Sequence, residues 1–417
     1  MSAIEFIAEA DHPTGAVALL RSTTTIRARA QRLLARARRG ESLYFSVRDD
    51  ALPGTAALVA EVTTSRYADL KIPYHSRWRH FEAGGVNRTA WLDQALGSAG
   101  HTDGARARID LAMVSVLLDA GAGPDWQFRE AATAQSFTRS EGLGVASLHA
   151  FMAGLFSSDA SHPLQVDARG LQHLSAERLA AAFQVQASNP LVGLEGRAAL
   201  LRRLGDELAG QALIFGPHGR PGGLLDALTQ GSAAAQVQAH DLLSVLLSSL
   251  APIWPAQNAI ENIALGDCWR HSAVGGEGLS EGWMPFHKLS QWLTYSLLEP
   301  FEWAGVAVTG LDALTGLPEY RNGGLLLDSG VLRLKDAALA SQTHQVGDEF
   351  IVEWRALTVA LLDELAPLVR AELGVSEAQL PLARVLEGGT WAAGRVLAQR
   401  LRGGTPPLQI ESDGTVF

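Results

Sequence analysis

The chain has 417 residues, of which 47% are hydrophobic and 19% are charged, and its formal net charge is −10 at pH 7. This composition is typical of a globular protein with a core, and the negative charge argues against a duplex nucleic-acid binder. The single cysteine, Cys268, excludes an intrachain disulfide and fits a reducing compartment. The chain has no apolar run of about 18 residues and no basic-apolar leader, so we expect a cytoplasmic protein without a membrane span.

Helical periodicity dominates the chain. It predicts helices at 16–39, 55–62, 105–119, 140–156, 175–188, 195–213, 222–231, 234–251, 292–298, 348–373 and 384–402. The 348–373 segment has the clearest pattern, because its apolar residues recur at three- and four-residue spacing. The run 42–47 reads as a short strand, and 68–91 as an irregular polar-aromatic loop. The predicted fold class is therefore mainly α, with a few short strands.

No Pro/Ser-rich linker divides the chain clearly. We expect an N-terminal helical region over residues 1–135, with a basic-aromatic loop at 67–91. A second helical region over 136–417 carries most of the candidate chemistry, and the two could also form one compact unit.

The segment 285–324 combines residue types that few structural motifs need together. It holds His287, Lys288, Gln291, Glu319, Tyr320 and Arg321. Glu319 follows a proline and precedes a glycine pair, which places it on a turn. A carboxylate beside an anomeric carbon can stabilise the positive charge that builds up during N-glycoside cleavage, and the cations can hold a phosphate. The plainer interpretation is a surface Glu–Arg pair on a loop.

Two further segments carry candidate residues. In the 67–91 loop, Arg79 and His80 lie among aromatic side chains and could close over a phosphorylated ligand. A basic surface loop anchored by its aromatics is the equal alternative. Glu141 lies at the predicted start of a helix with Ser140 as its N-cap, where backbone N–H groups favour anions, although a simple cap is more common.

Asp267, Cys268 and His271 resemble half of a zinc site. One cysteine cannot complete a thiolate-rich site, so a buried cysteine beside Trp269 is the simpler interpretation. We therefore predict no metal and no other cofactor. The segment 47–55 faintly echoes a loop that grips phosphoribosyl pyrophosphate, but no alternating α/β pattern surrounds it and we interpret it as a turn.

One pattern in the segment 285–324 resembles the queuosine-salvage nucleotide N-glycohydrolase family. It consists of Phe286, Lys288 and Gln291, then an apolar helix, and then an acidic residue before Tyr320 and Arg321. The resemblance implies a helical fold similar to the helix-hairpin-helix DNA glycosylases. It places the family's catalytic carboxylate at Glu319, where the family has an aspartate, one methylene shorter. Lys288 and Gln291 match the family's Lys and Gln.

A second resemblance spans more of the chain. The runs 67–88, 139–143, 266–271 and 315–324 look like the signature of a uracil-catabolism family whose biochemical step is unknown. That resemblance implies a role in a pathway that opens the uracil ring and releases urea. Some members carry a uracil phosphoribosyltransferase label.

Together the two resemblances predict an N-ribosyl hydrolase that splits ribosylurea 5-phosphate into urea and ribose 5-phosphate. The predicted catalytic carboxylate is Glu319, and Glu141 or Asp267 would assist the leaving urea. The predicted substrate-binding residues are Lys288, His287, Gln291, Tyr320, Arg321, Arg79, His80 and Trp269. A phosphoribosyltransferase and a non-catalytic binding partner of the same pathway are the alternatives, and the oligomeric state is open.

Overall fold

The computed structural model describes residues 10–97, 100–231, 236–254 and 258–411. Its helices are α1 Pro13–Leu20, α2 Thr23–Arg38, α3 Leu52–Arg66, α4 Trp78–Phe81, α5 Arg88–Leu96, α6 His101–Leu117, α7 Arg139–Met152, α8 Ala168–Gln172, α9 Ala176–Ala182, α10 Leu194–Gly210, α11 Ala212–Phe215, α12 Gly223–Thr229, α13 Ala239–Leu250, α14 Lys288–Trp303, α15 Tyr320–Asp328, α16 Glu349–Leu373, α17 Leu382–Val385 and α18 Trp391–Arg402. The mainly α prediction is confirmed, while the likeness to DNA glycosylases stays a prediction.

The strands are two or three residues long and form two-stranded pairs. They are β1 Phe45–Val47, β2 Gln127–Arg129, β3 Ser136–Thr138, β4 Gln236–Gln238, β5 Ala259–Ile260, β6 Ile263–Ala264, β7 Cys268–Arg270, β8 Trp283–Pro285, β9 Ala307–Thr309, β10 Leu332–Leu334, β11 Thr343–His344 and β12 Gln409–Ile410. The pairs β1–β10, β2–β3, β5–β6 and β7–β8 are antiparallel, whereas β4–β9 and β11–β12 are parallel. Such short pairs tie loops together and leave the core to the helices.

The chain divides into two compact units that are interleaved along the sequence. The first contains the described residues up to 75, those from 258 to 291, and 310–411; the second contains those from 76 to 254 and 292–309. The predicted boundary at 135/136 falls inside the second unit, and a functional division there stays a prediction.

Helix α16 forms the centre of the first unit. Nearly all of its N-terminal four turns are buried, including Phe350, Trp354, Leu357 and Leu361. Helices α2 and α3 pack against it. The predicted single helix at 16–39 is divided into α1 and α2, because Ser22 adopts an extended backbone conformation.

Helices α6 and α7 pack together in the second unit, and α8 packs on α10. Every residue of α6 from Ile109 to Leu117 is buried. The segment 68–91 contains the short helix α4 and the first residues of α5, so the prediction of an irregular loop there is wrong in part.

Candidate active site

Glu319 is the N-cap of helix α15 in the first unit. Its backbone is extended, and its carboxylate oxygens accept the backbone N–H groups of Arg321 at 2.7 Å and Asn322 at 2.6 Å. These bonds fix the carboxylate at a helix N-terminus, where a negative charge is favoured. Burial nevertheless raises the pKa of Glu319, and the two N–H groups, Lys288 and His75 counteract that rise. Since a carboxylate has about four lone-pair sites, the capped group can still accept bonds from a ligand.

Asp267 anchors the N-terminus of helix α14. Its carboxylate accepts two N–H groups of Arg355, at 2.8 and 2.7 Å, the indole N–H of Trp269 at 2.8 Å and the backbone N–H of Lys288 at 3.0 Å. Burial opposes ionisation of Asp267, but Arg355 and the other donors outweigh it and lower its pKa to about 2. The carboxyl therefore has no proton to give near neutral pH. The structure assigns Asp267 an anchoring role in place of the predicted help to the leaving group, and the indole N–H of Trp269 serves the same anchor.

His287 does not provide the phosphate cation that the sequence suggested. It is buried, and its Nε2 lies 3.0 Å from the carbonyl oxygen of Leu20. Burial lowers the pKa of the imidazole, which keeps the ring neutral. The backbone φ of His287 is 49°, in the left-handed region, so the chain turns sharply just before α14.

Gln291 joins the start of α14 to the loop that leads to Glu319. The buried side-chain amide donates to the carbonyl of Phe286 at 3.0 Å and to Thr315 Oγ1 at 2.6 Å, and it accepts the backbone N–H of Thr315 at 2.8 Å. Gln291 therefore positions the segment carrying Glu319, and these bonds leave it little capacity for the predicted contact with sugar or urea.

Tyr320 and Arg321 continue the site along α15. Tyr320 is half-buried, and the Arg321 guanidinium lies over its ring with 4.7 Å to the centroid. Arg321 is buried and donates from Nη1 to the carbonyl of Gly404 at 3.2 Å, while its Nε has no hydrogen-bond partner in the described part of the chain. Arg321 thus connects the first turn of α15 to the segment that follows α18. Lys288 is half-buried at the first position of α14.

A buried histidine–carboxylate pair lies in the same unit and was missed from the sequence. His75 Nδ1 lies 2.9 Å from Glu387 Oε2, and Glu387 Oε1 accepts from Arg66 at 2.8 Å and Tyr67 at 3.1 Å. Burial opposes ionisation of Glu387, but His75 and Arg66 lower its pKa to about 2. The ring of Trp391 lies 6.2 Å from that of His75, centroid to centroid.

Glu387 belongs to a single π-helical turn, Leu386–Thr390, between α17 and α18. Such turns are often found at functional sites. The pair Gly388 and Gly389 lets this turn approach α3, because a Cβ at Gly389 would lie 2.4 Å from Thr63 Oγ1 and 2.6 Å from the carbonyl oxygen of Val59. The glycine pair is the one sequence signal that could have drawn attention to this turn.

The family of the protein follows from its similarity to known sequences. A family model described as "Protein of unknown function (DUF1688)" matches residues 19–417. The chain belongs to this family.

Two curated relatives cover nearly all of it. "Protein urg3" of Schizosaccharomyces pombe is 41% identical over 416 residues, which covers 97% of this chain and 100% of the relative. "Uracil catabolism protein 4" of Lachancea kluyveri is 39% identical over 406 residues, covering 90% of this chain and 91% of the relative. The resemblance to a uracil-catabolism family is therefore supported, while the queuosine-salvage motif stays a prediction.

Three predicted site residues belong to the second unit. Arg79 donates to Glu299 at 2.7 Å and to Glu82 at 2.9 Å. The ring of His80 meets that of Trp292 edge-on, with 5.7 Å between centroids. Glu141 lies in the first turn of α7, but the N-cap of that helix is Thr138, so the predicted cap at Ser140 is wrong. The structure thus places Arg79, His80 and Glu141 in a different unit from Glu319.

Two of the arginines in the segment 67–91 are buried and do not belong to a surface loop. Arg88 is fully buried and pairs with Glu130 through two bonds, at 2.7 and 2.6 Å. Arg77 is equally buried and lies 3.1 Å from Asp119. The alternative of a basic surface loop is therefore wrong for these two arginines, because carboxylates within the unit neutralise them.

The half-site for zinc is also occupied by protein partners. Asp267 binds Arg355, and His271 Nε2 lies 3.2 Å from Glu353. Burial raises the pKa of the Cys268 thiol, which opposes formation of a thiolate ligand. Within the described ranges, no group of three His, Cys, Asp or Glu residues is placed to hold a metal ion.

The segment that echoes a phosphoribosyl pyrophosphate loop forms surface ion pairs. Asp49 binds Arg38 at 2.6 Å, Asp50 binds Arg48, and β1 pairs with the antiparallel β10.

No helix in the described part of the chain is long and apolar enough to cross a membrane.

Proposed function

We propose that the protein is an N-ribosyl hydrolase of uracil catabolism. Its substrate would be ribosylurea 5-phosphate, which water splits into urea and ribose 5-phosphate. The pathway assignment is supported by the name of the Lachancea kluyveri relative, "Uracil catabolism protein 4", which matches over 90% of this chain. The reaction assignment is supported by the first unit, where a capped carboxylate lies near a lysine.

The observation that carries this proposal is the way in which the carboxylate of Glu319 is held. Two backbone N–H groups hold its carboxylate at the start of α15, and Lys288 lies close enough to act on it electrostatically. A fixed carboxylate costs little reorganisation when positive charge develops on a ribose ring. The same carboxylate can accept a proton from the attacking water, and burial, which raises the pKa of Glu319 above the ordinary glutamate value, makes it a stronger base.

Lys288 is the best candidate for the phosphate. It is the first residue of α14, a helix of 16 residues, and its backbone N–H already donates to Asp267, so the side-chain ammonium is the group that would bind the phosphate. Asp267 and Gln291 hold this turn in place. The phosphate would then orient the ribose so that its anomeric carbon faces Glu319.

A proton-NMR time course with ribosylurea 5-phosphate tests the proposal. We expect urea and ribose 5-phosphate to appear with the unmodified protein. Parallel tubes contain uridine 5′-monophosphate, and uracil with phosphoribosyl pyrophosphate and magnesium. Formation of uridine monophosphate in the last tube would replace the hydrolase by the phosphoribosyltransferase, and no reaction in any tube would favour a binding role.

Glu319→Gln removes the charge and keeps the size of the side chain. We expect kcat to fall by about a hundredfold or more, with ligand binding retained. Asp336→Asn is the matched control, since Asp336 also caps a helical turn through its side chain but is exposed. Equal activity of Glu319→Gln and the unmodified protein would reject Glu319 as the catalytic carboxylate.

A further inference from the structure

Urea is a poor leaving group, so cleavage of its bond to ribose needs a proton donor. Asp267 cannot donate near neutral pH, because Arg355 holds it as a carboxylate. Glu141 belongs to the second unit. The first unit must therefore hold another acid if the proposed hydrolysis takes place there.

His75 has the geometry of such an acid. Its Nδ1–H donates to Glu387 at 2.9 Å, so that bond fixes the ring and leaves Nε2 as the second proton-carrying nitrogen. The backbone N–H of His75 donates to the carbonyl of Ala383 at 2.9 Å, which fixes the main chain as well. A histidine held by a buried carboxylate is the arrangement that keeps an imidazole in one tautomer and stabilises its protonated form.

A continuous set of contacts connects this pair with Glu319. The ring of Trp391 packs against His75, and one turn later Gly394 lies so close to α15 that a Cβ there would be 2.1 Å from the carbonyl oxygen of Arg321. The N–H of Arg321 in turn holds Glu319. His75 also acts electrostatically on Glu319.

We infer that His75 is the catalytic acid that protonates the leaving urea, and that Glu387 is its positioning residue; this inference rests on the proposed hydrolase function. The bond between the anomeric carbon and the urea nitrogen breaks as Nε2–H of the imidazolium gives its proton to the urea. Water adds to the anomeric carbon and gives its proton to Glu319. The proton on Glu319 returns to His75 through solvent, so atoms and charge balance over one turnover.

His75→Asn tests the acid directly. The shorter amide can still donate to Glu387, so the buried carboxylate keeps a partner, but no acid remains at the position of Nε2. We expect hydrolysis of ribosylurea 5-phosphate to fall by about a hundredfold or more. Hydrolysis of 4-nitrophenyl ribose 5-phosphate, whose leaving group departs without a proton, should stay within about tenfold of the unmodified rate.

Two variants serve as controls. Glu319→Gln should lose activity toward both substrates, because its role is on the ribose side. His271→Gln changes another buried histidine of the same unit and keeps the bond that Nε2 makes to Glu353. We expect it to leave both activities near the unmodified level, and thermal unfolding of each variant checks that the fold is retained.

The outcomes separate the inference from the proposed function. If the unmodified protein hydrolyses neither substrate, both the hydrolase and the role of His75 are rejected. If it hydrolyses ribosylurea 5-phosphate and His75→Asn does so equally well, only the role of His75 is overturned. Equal losses of His75→Asn on both substrates would also overturn it, since a general acid matters little for nitrophenolate.

Glu387 has its own readout in the comparison of the two substrates. Glu387→Gln should lower kcat for ribosylurea 5-phosphate with KM little changed, because the imidazole loses the carboxylate that fixes its ring. The rate with 4-nitrophenyl ribose 5-phosphate should change much less, and Glu387→Asp should restore kcat for ribosylurea 5-phosphate in part. Equal losses of Glu387→Gln on both substrates would exclude the positioning role.

Discussion

The carboxylate of Glu319 and the guanidinium of Arg88 are both firmly held, but by opposite kinds of partner. Two backbone N–H groups hold Glu319, and they leave its negative charge in place. Arg88, in the second unit, is paired through two bonds with Glu130, and both side chains are 0% exposed. The first arrangement keeps a charge that the proposed substrate could use, whereas in the second arrangement the charge of Arg88 is neutralised by Glu130 and contributes to the fold.

The comparison teaches how to separate functional from structural charges in this protein. Removal of a neutralised pair such as Arg88–Glu130 should lower stability and should not change the reaction that we propose for Glu319. A charge held by backbone dipoles should affect chemistry more than stability. The predictions below test this difference, beginning with the largest expected effect.

Arg88→Met should lower the free energy of unfolding by about 3–5 kcal/mol, because it leaves the buried carboxylate of Glu130 without its main counter-charge. Denaturant unfolding at neutral pH measures the change. Arg129→Met is the control, since Arg129 is exposed in the same unit and should change stability by less than about 0.5 kcal/mol. Similar midpoints for the two variants would contradict the structural role of Arg88.

Acid should weaken the fold through its paired carboxylates. The pKa values of Glu130, Asp267 and Glu387 are lowered to about 2 by their cationic partners, although burial opposes this. A lowered pKa contributes stability above the ordinary carboxyl value of about 4, and this stability is lost as the pH falls toward 2. Thermal midpoints between pH 7 and pH 2.5 should therefore fall steeply below about pH 4.

Asp267→Asn provides the matched test of that slope. The variant should be less stable than the unmodified protein at pH 7, and the difference should shrink as the pH approaches 2. A constant difference across this range would show that the charge of Asp267 is not what binds Arg355.

Gly394→Ala should destabilise the first unit by about 1–3 kcal/mol through overpacking. A Cβ at this position would lie 2.1 Å from the carbonyl oxygen of Arg321, so α15 or α18 has to move. Because Arg321 holds Glu319, we also expect kcat to fall. Gly196→Ala is the control, since a Cβ there meets nothing within 4 Å in α10 and should stabilise that helix by about 0.5–1 kcal/mol.

Glu319→Gln should have the smallest effect on stability, within about 1 kcal/mol, because the weakened cap and the relieved burial of charge oppose each other. Its sign should depend on pH. Burial raises the pKa of Glu319, so protonation favours the folded state, and the unmodified protein should lose stability relative to the variant as pH rises above about 4.5. A gain with rising pH would contradict the direction of that pKa shift.

Several features could be predicted from the sequence, because they depend on local patterns. The helix at 348–373 agrees with Glu349–Leu373 to within one residue, since its apolar stripe is long and uninterrupted. The turn that carries Glu319 and the helix after Gln291 were also predicted from residues close in the chain. Predictions failed where burial overrode composition: a basic surface loop was one of two interpretations of the segment 67–91, yet Arg77 and Arg88 are buried.

The sequence by itself determined the helical fold class, and it was enough to single out the 285–324 segment as a candidate site and to show the resemblance to a uracil-catabolism family. Only the tertiary structure decided which of those charges are available. Asp267 meets Arg355 across 88 residues, and His75 meets Glu387 across 312. Periodicity and turn chemistry act over a few residues, whereas the pairing of buried charges depends on which helices pack together, and no local pattern encodes that.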